Sequence, residues 1–384
     1  MTSEGALVTL TWSQRGDRGV DLSRVLLVGK GPPDRGGIPT FLQDLRTGEL
    51  SRLHDLAFLN LAHSGTPQGG RWSTGNVART LADAANVWRS ANGRDVVHIN
   101  SALAPATTVL RAGLLALAGR LRGCRVIVHA HGGNIETWLT SRRARWLTRL
   151  AMRPAVLVVA VWTAGQTALE GALGEQRVRL VINGVDATRF SPPPTRAPQV
   201  PARILYVGLL TPRKGVLDLL EASRLLRDRG IDHELCLLGG TPDEGPEAAE
   251  PVLAAAEGRA VLLGTRAPEG MPEAYASADV FCLPSWWEAM PLSVLEAMAS
   301  GLPVVATEVG DVARLVADGE SGWVVPTRRP DLLAEALGTL IKDAETARRM
   351  GCVGRERVEA GFTSAATAQA ISGLYAEVTG DRGP

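Results

Sequence analysis

Lysine is nearly absent from this chain: Lys30, Lys214 and Lys342 are the only three among 41 basic residues, and arginine supplies the rest. A lysine is therefore a choice rather than background. Cysteine is scarce too. Cys124, Cys236, Cys282 and Cys352 stand far apart with no Cys-x-x-Cys pair, which indicates neither a zinc site nor a disulfide framework and reads as four small buried apolar side chains. Aromatic residues make up only 4%, and neither sign of charge is in surplus: the net charge is +1. A protein that neutralises many phosphates usually carries a large basic excess, so the charge balance argues against a dominant nucleic-acid role while leaving room for local basic patches. Long apolar runs are missing. Stretches such as Leu114–Ala118 are broken by Gly or Arg well short of the roughly 18 residues that span a bilayer. The short apolar run Ala6–Trp12, flanked by Glu4, Arg15, Asp17 and Arg18, lacks the layout of a secretory leader, so the sequence reads as cytoplasmic. The spaced glycines of a dinucleotide fingerprint, the Walker loop and any Asp-x-Asp metal motif are absent as well, so no metal or resident cofactor is expected.

What is present is a chain of 384 residues, longer than a single hydrophobic core usually grows, with 45% hydrophobic and 21% charged residues. Two compact domains are expected. Short apolar runs at Arg24–Gly29, Asp95–Asn100, Arg125–Ala130 and Ala155–Ala160 alternate with helical patterns such as Asn76–Ser90 and Pro105–Arg122. Continuous apolar runs fit strands buried on both faces of a parallel sheet, which predicts an α/β, doubly wound N-terminal domain over 1–190. The segment Phe190–Pro201 holds five prolines in twelve residues, and the interdomain linker is placed at 191–202. The pattern restarts at Arg203–Gly208 and continues through Glu234–Gly239, Ala260–Gly264, Val280–Pro284 and Pro303–Ala306, predicting a second doubly wound domain over 203–363. A last helix, within 364–384, is free to pack on either domain. Ligands of open α/β sheets sit beyond the carboxyl ends of the strands, so two such sheets facing a central cleft would share one ligand.

The motifs fall just after the strands. Gly36-Gly37 follows the first strand and opens a helix with Pro39 in its first turn, which suits an anion approaching the backbone or, equally, a plain strand-to-helix turn. Arg213 and Lys214 follow the first strand of the second domain; a planar fork beside a mobile point charge suits the oxygens of a diphosphate. The third motif is Pro284-Ser285-Trp286-Trp287-Glu288-Ala289-Met290-Pro291, with Pro291 as first residue of a helix running to about Ser300. Amides of Ala289 to Leu292 would then face an anionic or hydroxyl-rich ligand, and Glu288 would accept from hydroxyls. Glu296, a turn and a half further in among apolar neighbours, needs donors, and ribose hydroxyls qualify. A cap or salt bridge is the plain alternative for either glutamate.

This order of motifs, ending in Pro-Ser-x-x-Glu-x7-Glu-Ala-Met-Ala-x-Gly-x-Pro-Val-Val-Ala-Thr, resembles the retaining glycosyltransferases of family 4, of the two-domain, Rossmann-like GT-B fold, from about Arg24 to about Gly373. The resemblance implies that Glu288 contacts donor-sugar hydroxyls and Glu296 the nucleotide ribose. Arg213 and Lys214 would neutralise the diphosphate, with Gly36 and Gly37 facing it from the other domain and Gly208 in the same phosphate-binding turn. His131, in His129-Ala-His131-Gly132-Gly133, would lie near the donor sugar, and Gly264, Thr265 and Arg266 would hold the base through backbone groups. Ala289 departs from the glycine common after the first glutamate and disfavours a positive φ there. Trp286 and Trp287 either stack on a sugar or acceptor or fill core.

The expected activity is metal-independent transfer of a hexosyl group, with retention, from a UDP- or GDP-sugar to a soluble small molecule or a lipid-linked glycan precursor. A non-catalytic sugar-nucleotide-binding protein and a nucleotide-dependent oxidoreductase are the alternatives. Residues 142–153, with Arg142, Arg143, Arg145, Arg149 and Arg153 around Trp146, read either as a solvated face or as a weak peripheral contact with the inner face of a membrane.

Overall fold

The computed structural model describes residues 7–9, 22–34, 36–62, 74–132, 134–193, 199–241 and 246–380. Gly133, most of the run Ala6–Trp12 and part of the proline-rich segment lie outside the described residues. The chain forms two compact units, one of residues 1–182 with 364–384, the other of residues 183–363.

The first unit holds β1 (Leu7–Thr9), β2 (Arg24–Gly29), β3 (Asp55–Asn60), β4 (Val96–Ser101), β5 (Arg125–Ala130), β6 (Leu157–Ala160) and β7 (Val178–Leu180), in the spatial order β1-β3-β2-β4-β5-β6-β7. All neighbours are parallel except the β1–β3 pair. Helices cover the sheet, so Val25 through Val28 are fully buried and the strands read as unbroken apolar runs rather than alternating ones. β3 escapes a reading by pattern because its apolar core is only four residues, Leu56–Leu59, and β7 because it is a three-residue edge strand carrying Arg179.

The second unit holds β8 (Ala202–Val207), β9 (His233–Leu238), β10 (Val261–Gly264), β11 (Val280–Leu283), β12 (Val304–Thr307) and β13 (Gly322–Val325), all parallel, in the order β10-β9-β8-β11-β12-β13. This is the 3-2-1-4-5-6 order of a doubly wound fold, with its topological switch between β8 and β11.

The division between units differs from the boundary drawn at 190 and 203. The chain changes unit at Ile182–Asn183 and returns at Thr363–Ser364. Pro192 packs within the second unit, its Cβ 3.2 Å from where a side chain on Gly301 would begin. Prolines report that a segment is irregular, not which core it covers. The helix Ser364–Thr379 joins the first unit: Ala368, Ile371, Leu374, Tyr375 and Val378 sit in one buried cluster with Val25, Leu27 and Phe41. Cys124, Cys236 and Cys282 are buried as expected, but Cys352 is exposed on the helix Ala344–Gly361.

Candidate functional site

The switch point of the second sheet is built from two loops that touch. After β8 comes the turn Thr211–Lys214; after β11 comes Pro284–Glu288. Gly215 joins them. Its φ is +69°, and a Cβ there would lie 1.8 Å from the Pro284 carbonyl oxygen, so both conformation and close approach require glycine. The Trp286 amide donates to the Arg213 carbonyl at 3.0 Å, and Thr307 Oγ1, from β12, donates to the Leu283 carbonyl at 3.3 Å.

These constraints bring Lys214 Nζ to 2.6 Å from Glu288 Oε1, which also accepts from Ser285 Oγ at 2.7 Å. The two charged side chains are 17% and 11% exposed, so solvent screens the pair only in part. Glu288 Oε2 has no protein donor among the described residues. Arg213 is exposed, and its guanidinium lies 5.7 Å from the Trp287 ring centroid. Trp286 is tied down locally: its indole N–H donates to Asp218 at 2.7 Å, and Arg328 stacks 4.4 Å over its ring. That accounts for Trp286 without a ligand.

The helix after this loop spans Leu292–Ala299, with Pro291 in the cap position just before its first residue. Having no N–H, Pro291 itself cannot donate to a ligand, which corrects the run of four amides expected from Ala289 to Leu292. The N–H groups of Leu292 and Ser293 open the helix with no carbonyl partner among the described residues. Ala289 and Met290 are buried. Positive φ among the described non-glycine residues occurs only at Asn134 and Arg328, so Ala289 sits in ordinary backbone without the strain its Cβ threatened. The loop after β12 supports it: Gly310 has φ +53° with Glu288 and Ala289 carbonyls 2.4 Å from where its Cβ would be, and Asp311 N–H donates to the Ala289 carbonyl at 3.0 Å.

Glu296 is buried, 9% exposed, and accepts from the Tyr275 hydroxyl at 2.7 Å. Burial and this carboxylate hold the Tyr275 phenol far above its usual range, so it stays a donor. Protein, then, supplies one donor to the carboxylate for which the sequence offers ribose hydroxyls, a cap or a salt bridge. Gly208 is explained by packing, since a Cβ there would meet the Tyr206 hydroxyl at 2.6 Å. Gly264, with φ +66°, ends the edge strand β10, and Gly264 and Thr265 are exposed there, two strands from β8 and not beside Lys214. Arg266 reaches Glu273 at 3.6 Å.

In the first unit, Gly36 caps the helix Gly37–Thr47 with φ +120°, and a Cβ on either glycine would meet nothing within 4 Å. Phe41 of that helix packs edge-on to His131 at 4.6 Å between centroids. Asn100, at the end of β4, donates from Nδ2 to the His98 carbonyl at 3.3 Å, which leaves Oδ1 to accept from His131 Nε2 at 2.8 Å. His131 therefore carries its proton on Nε2. Burial, with His98 adding repulsion, holds it down to about 3, so it is neutral at physiological pH. Beneath it, His98 Nε2 meets His129 Nδ1 at 3.2 Å, and His98 Nδ1 meets the Tyr375 hydroxyl at 2.8 Å.

Sequence reasoning missed Ser285, Tyr275, Gly215 and Gly310. Ser285, three residues before Glu288, had a legible side-chain-turn spacing. Tyr275 and Gly310 had none, because their partners lie on other segments.

Two parallel-sheet units, with a charged pair at the switch point of one, define a two-domain transferase of the GT-B class, and the comparisons agree. Residues 201–343 match the family described as "Glycosyl transferases group 1" and residues 35–189 the one described as "Glycosyltransferase Family 4". The chain is 30% identical to the alpha-maltose-1-phosphate synthase of Mycolicibacterium smegmatis over 91% of this chain and 97% of that one. It is 36% identical to the D-inositol 3-phosphate glycosyltransferase of Corynebacterium glutamicum over 52% of this chain, spanning about half of that relative's length, 51%. Among solved structures, Anabaena Alr3699/HepE in complex with UDP and glucose shares the fold with a TM-score of 0.71 at 19% identity, over 92% of this chain and 99% of that one. The chain belongs to the family 4 glycosyltransferases. No described helix is long and apolar enough to cross a membrane.

Proposed function

We propose that this chain moves a hexosyl group from a UDP- or GDP-sugar to an acceptor hydroxyl or other nucleophile, with retention at the anomeric carbon and without a divalent metal. The acceptor is a soluble small molecule or a lipid-linked glycan precursor. The observation that carries the reading is the Lys214–Glu288 contact of 2.6 Å at the switch point, beside the open N-terminus of Leu292–Ala299.

As the bond from the anomeric carbon to the diphosphate oxygen breaks, its electron pair stays on the diphosphate. Arg213, Lys214 and the Leu292 and Ser293 amides stabilise that charge. Glu288 Oε2 accepts from a sugar hydroxyl, and Glu296, held by Tyr275, accepts from the ribose. Gly36 and Gly37 leave the backbone open to the phosphates, Gly208 holds the turn before Arg213 and Lys214, and His131, neutral, offers a lone pair on Nδ1 to a sugar hydroxyl. Gly264, Thr265 and Arg266 contact the base through backbone. The acceptor attacks the face the diphosphate leaves, and its proton passes to the leaving phosphate oxygen. The UDP and glucose held by a relative of the same fold support the donor class.

Thermal-shift screening against nucleoside diphosphates and their sugars tests binding, and radiolabelled donor with an acceptor panel tests transfer. A raised melting temperature with UDP or GDP, product with unchanged anomeric configuration and activity in EDTA are expected. Absence of any nucleoside-diphosphate response overturns the reading; binding without product supports the non-catalytic alternative.

A further inference from the structure

Three helices of the first unit lie side by side: Thr74–Ser90, Ala106–Leu121 and Arg142–Ala151. Arg122, just after the second, stacks 4.4 Å over Trp88 of the first. Gly113 of the second comes so near the third that an added Cβ would lie 2.7 Å from the Ala151 carbonyl oxygen. They thus form one continuous layer.

The outward side of this layer is apolar. Leu110, Leu117 and Leu121 fall at i, i+7 and i+11 on the middle helix and are 37%, 41% and 71% exposed. Leu81 and Trp88 on one flank and Trp146 on the other are 56%, 45% and 64% exposed. A stripe of leucines facing water, flanked by exposed indoles, has no stability rationale within the unit.

Its charges have one sign. Arg120, Arg142, Arg143 and Arg145 are exposed, and none pairs with an acidic group among the described residues. The single acidic residue on the three helices, Asp83, is buried and bound to Arg111 at 2.8 Å. A symmetric dimer through this face would set these arginine rows against each other, and like charges across an interface are unfavourable. Apolar side chains flanked by unpaired arginines and indoles instead match the interface of an anionic bilayer, where rings sit at headgroup level and guanidinium groups reach phosphates.

We propose that this three-helix face docks on the surface of an anionic phospholipid membrane. It extends the membrane contact beyond residues 142–153 to all three helices, with Leu117, Leu121 and Trp146 entering the headgroup region. Vesicle binding reads this surface alone and needs no donor turnover, so its outcome is separate from that of the transfer assay.

The test is flotation of the whole chain with vesicles of phosphatidylcholine alone or with one-quarter phosphatidylglycerol. Partition into the anionic vesicles only is expected, lost in 1 M salt. The triple variant R142E/R143E/R145E should lower that partition at least about 100-fold, taking about one tenfold step per 1.4 kcal/mol and about 1 kcal/mol per charge removed, more on reversal. L121S/W146S should lower it in the same direction with an unchanged melting temperature, these side chains being exposed. No binding by the parent chain, equal binding to both vesicle types, or a vesicle-free dimer that the arginine variant dissociates overturns the proposal.

Discussion

Lys214 Nζ and Glu288 Oε1, 74 residues apart in the chain, meet at 2.6 Å where the second sheet reverses its strand order. The pair sets a competition in the ligand-free protein. On the function proposed above, Lys214 would turn from the carboxylate to a diphosphate, while Ser285 keeps its hydrogen bond to Glu288.

That competition separates binding from turnover. Lys214→Ala should cut kcat/KM by about 10² to 10³, the usual effect of losing one charge-stabilising donor, and weaken binding of the nucleoside diphosphate. Glu288→Gln should leave nucleoside-diphosphate affinity unchanged or tighter, with Lys214 released, while transfer falls. Titration calorimetry beside turnover checks both, and weaker nucleotide binding in Glu288→Gln would falsify the competition.

Tyr275→Phe removes the hydroxyl that Glu296 accepts from inside the second unit. The loss of a buried donor to a carboxylate should cost on the order of 1–3 kcal/mol of stability and raise KM for the donor more than it lowers kcat. Denaturant melts with and without nucleotide, and steady-state kinetics, measure the two effects.

The glycines of the two candidate motifs divide by cause. Gly215→Ala meets a carbonyl oxygen at 1.8 Å and a φ of +69°, so it should destabilise by several kcal/mol. Gly37→Ala meets open space within a helix and should leave the melting temperature level or slightly raised. If the loop faces phosphate, donor KM rises in Gly37→Ala despite its intact fold. A destabilised Gly37→Ala would contradict this division.

Stability should fall in acid before any carboxylate titrates. Burial holds His98 and His131 down to about 3 and His129 well below its usual value. A group with a depressed folded pKa binds its proton in the unfolded chain first, so its contribution is complete above about 6.5 and shrinks as pH falls toward about 3. At pH 5 the loss is on the order of 2 kcal/mol for each of His98 and His131. Melting curves at pH 7 and 5 test it; equal midpoints would count against buried neutral imidazoles.

The C-terminal helix belongs to the core of the first unit. Ile371, fully buried there, should cost about 2–5 kcal/mol when changed to Ala, and removal of residues 364–384 should expose β2 and β4 side chains and His98. Circular dichroism with thermal melts reads both.

Much of this protein is decided by neighbours along the chain. Unbroken apolar runs such as Val25–Val28 and Val126–Val128 announce buried parallel strands, Arg213-Lys214 announces a basic turn after β8, and Glu288 and Glu296 with their intervening Pro291 announce a helix start after β11. Periodicity and adjacency carry that information, so it survives without coordinates. Strand order, and with it the switch point, did not, because nothing local shows that β8 lies between β9 and β11 rather than at an edge of the sheet. Tertiary structure alone also set Glu288 against Lys214, supplied Tyr275 to Glu296 from 21 residues away, and returned Ser364–Thr379 to the first unit. It alone turned the leucine stripe of Ala106–Leu121 outward: an amphipathic pattern shows that a helix has two faces, while which face meets the sheet depends on segments remote in sequence.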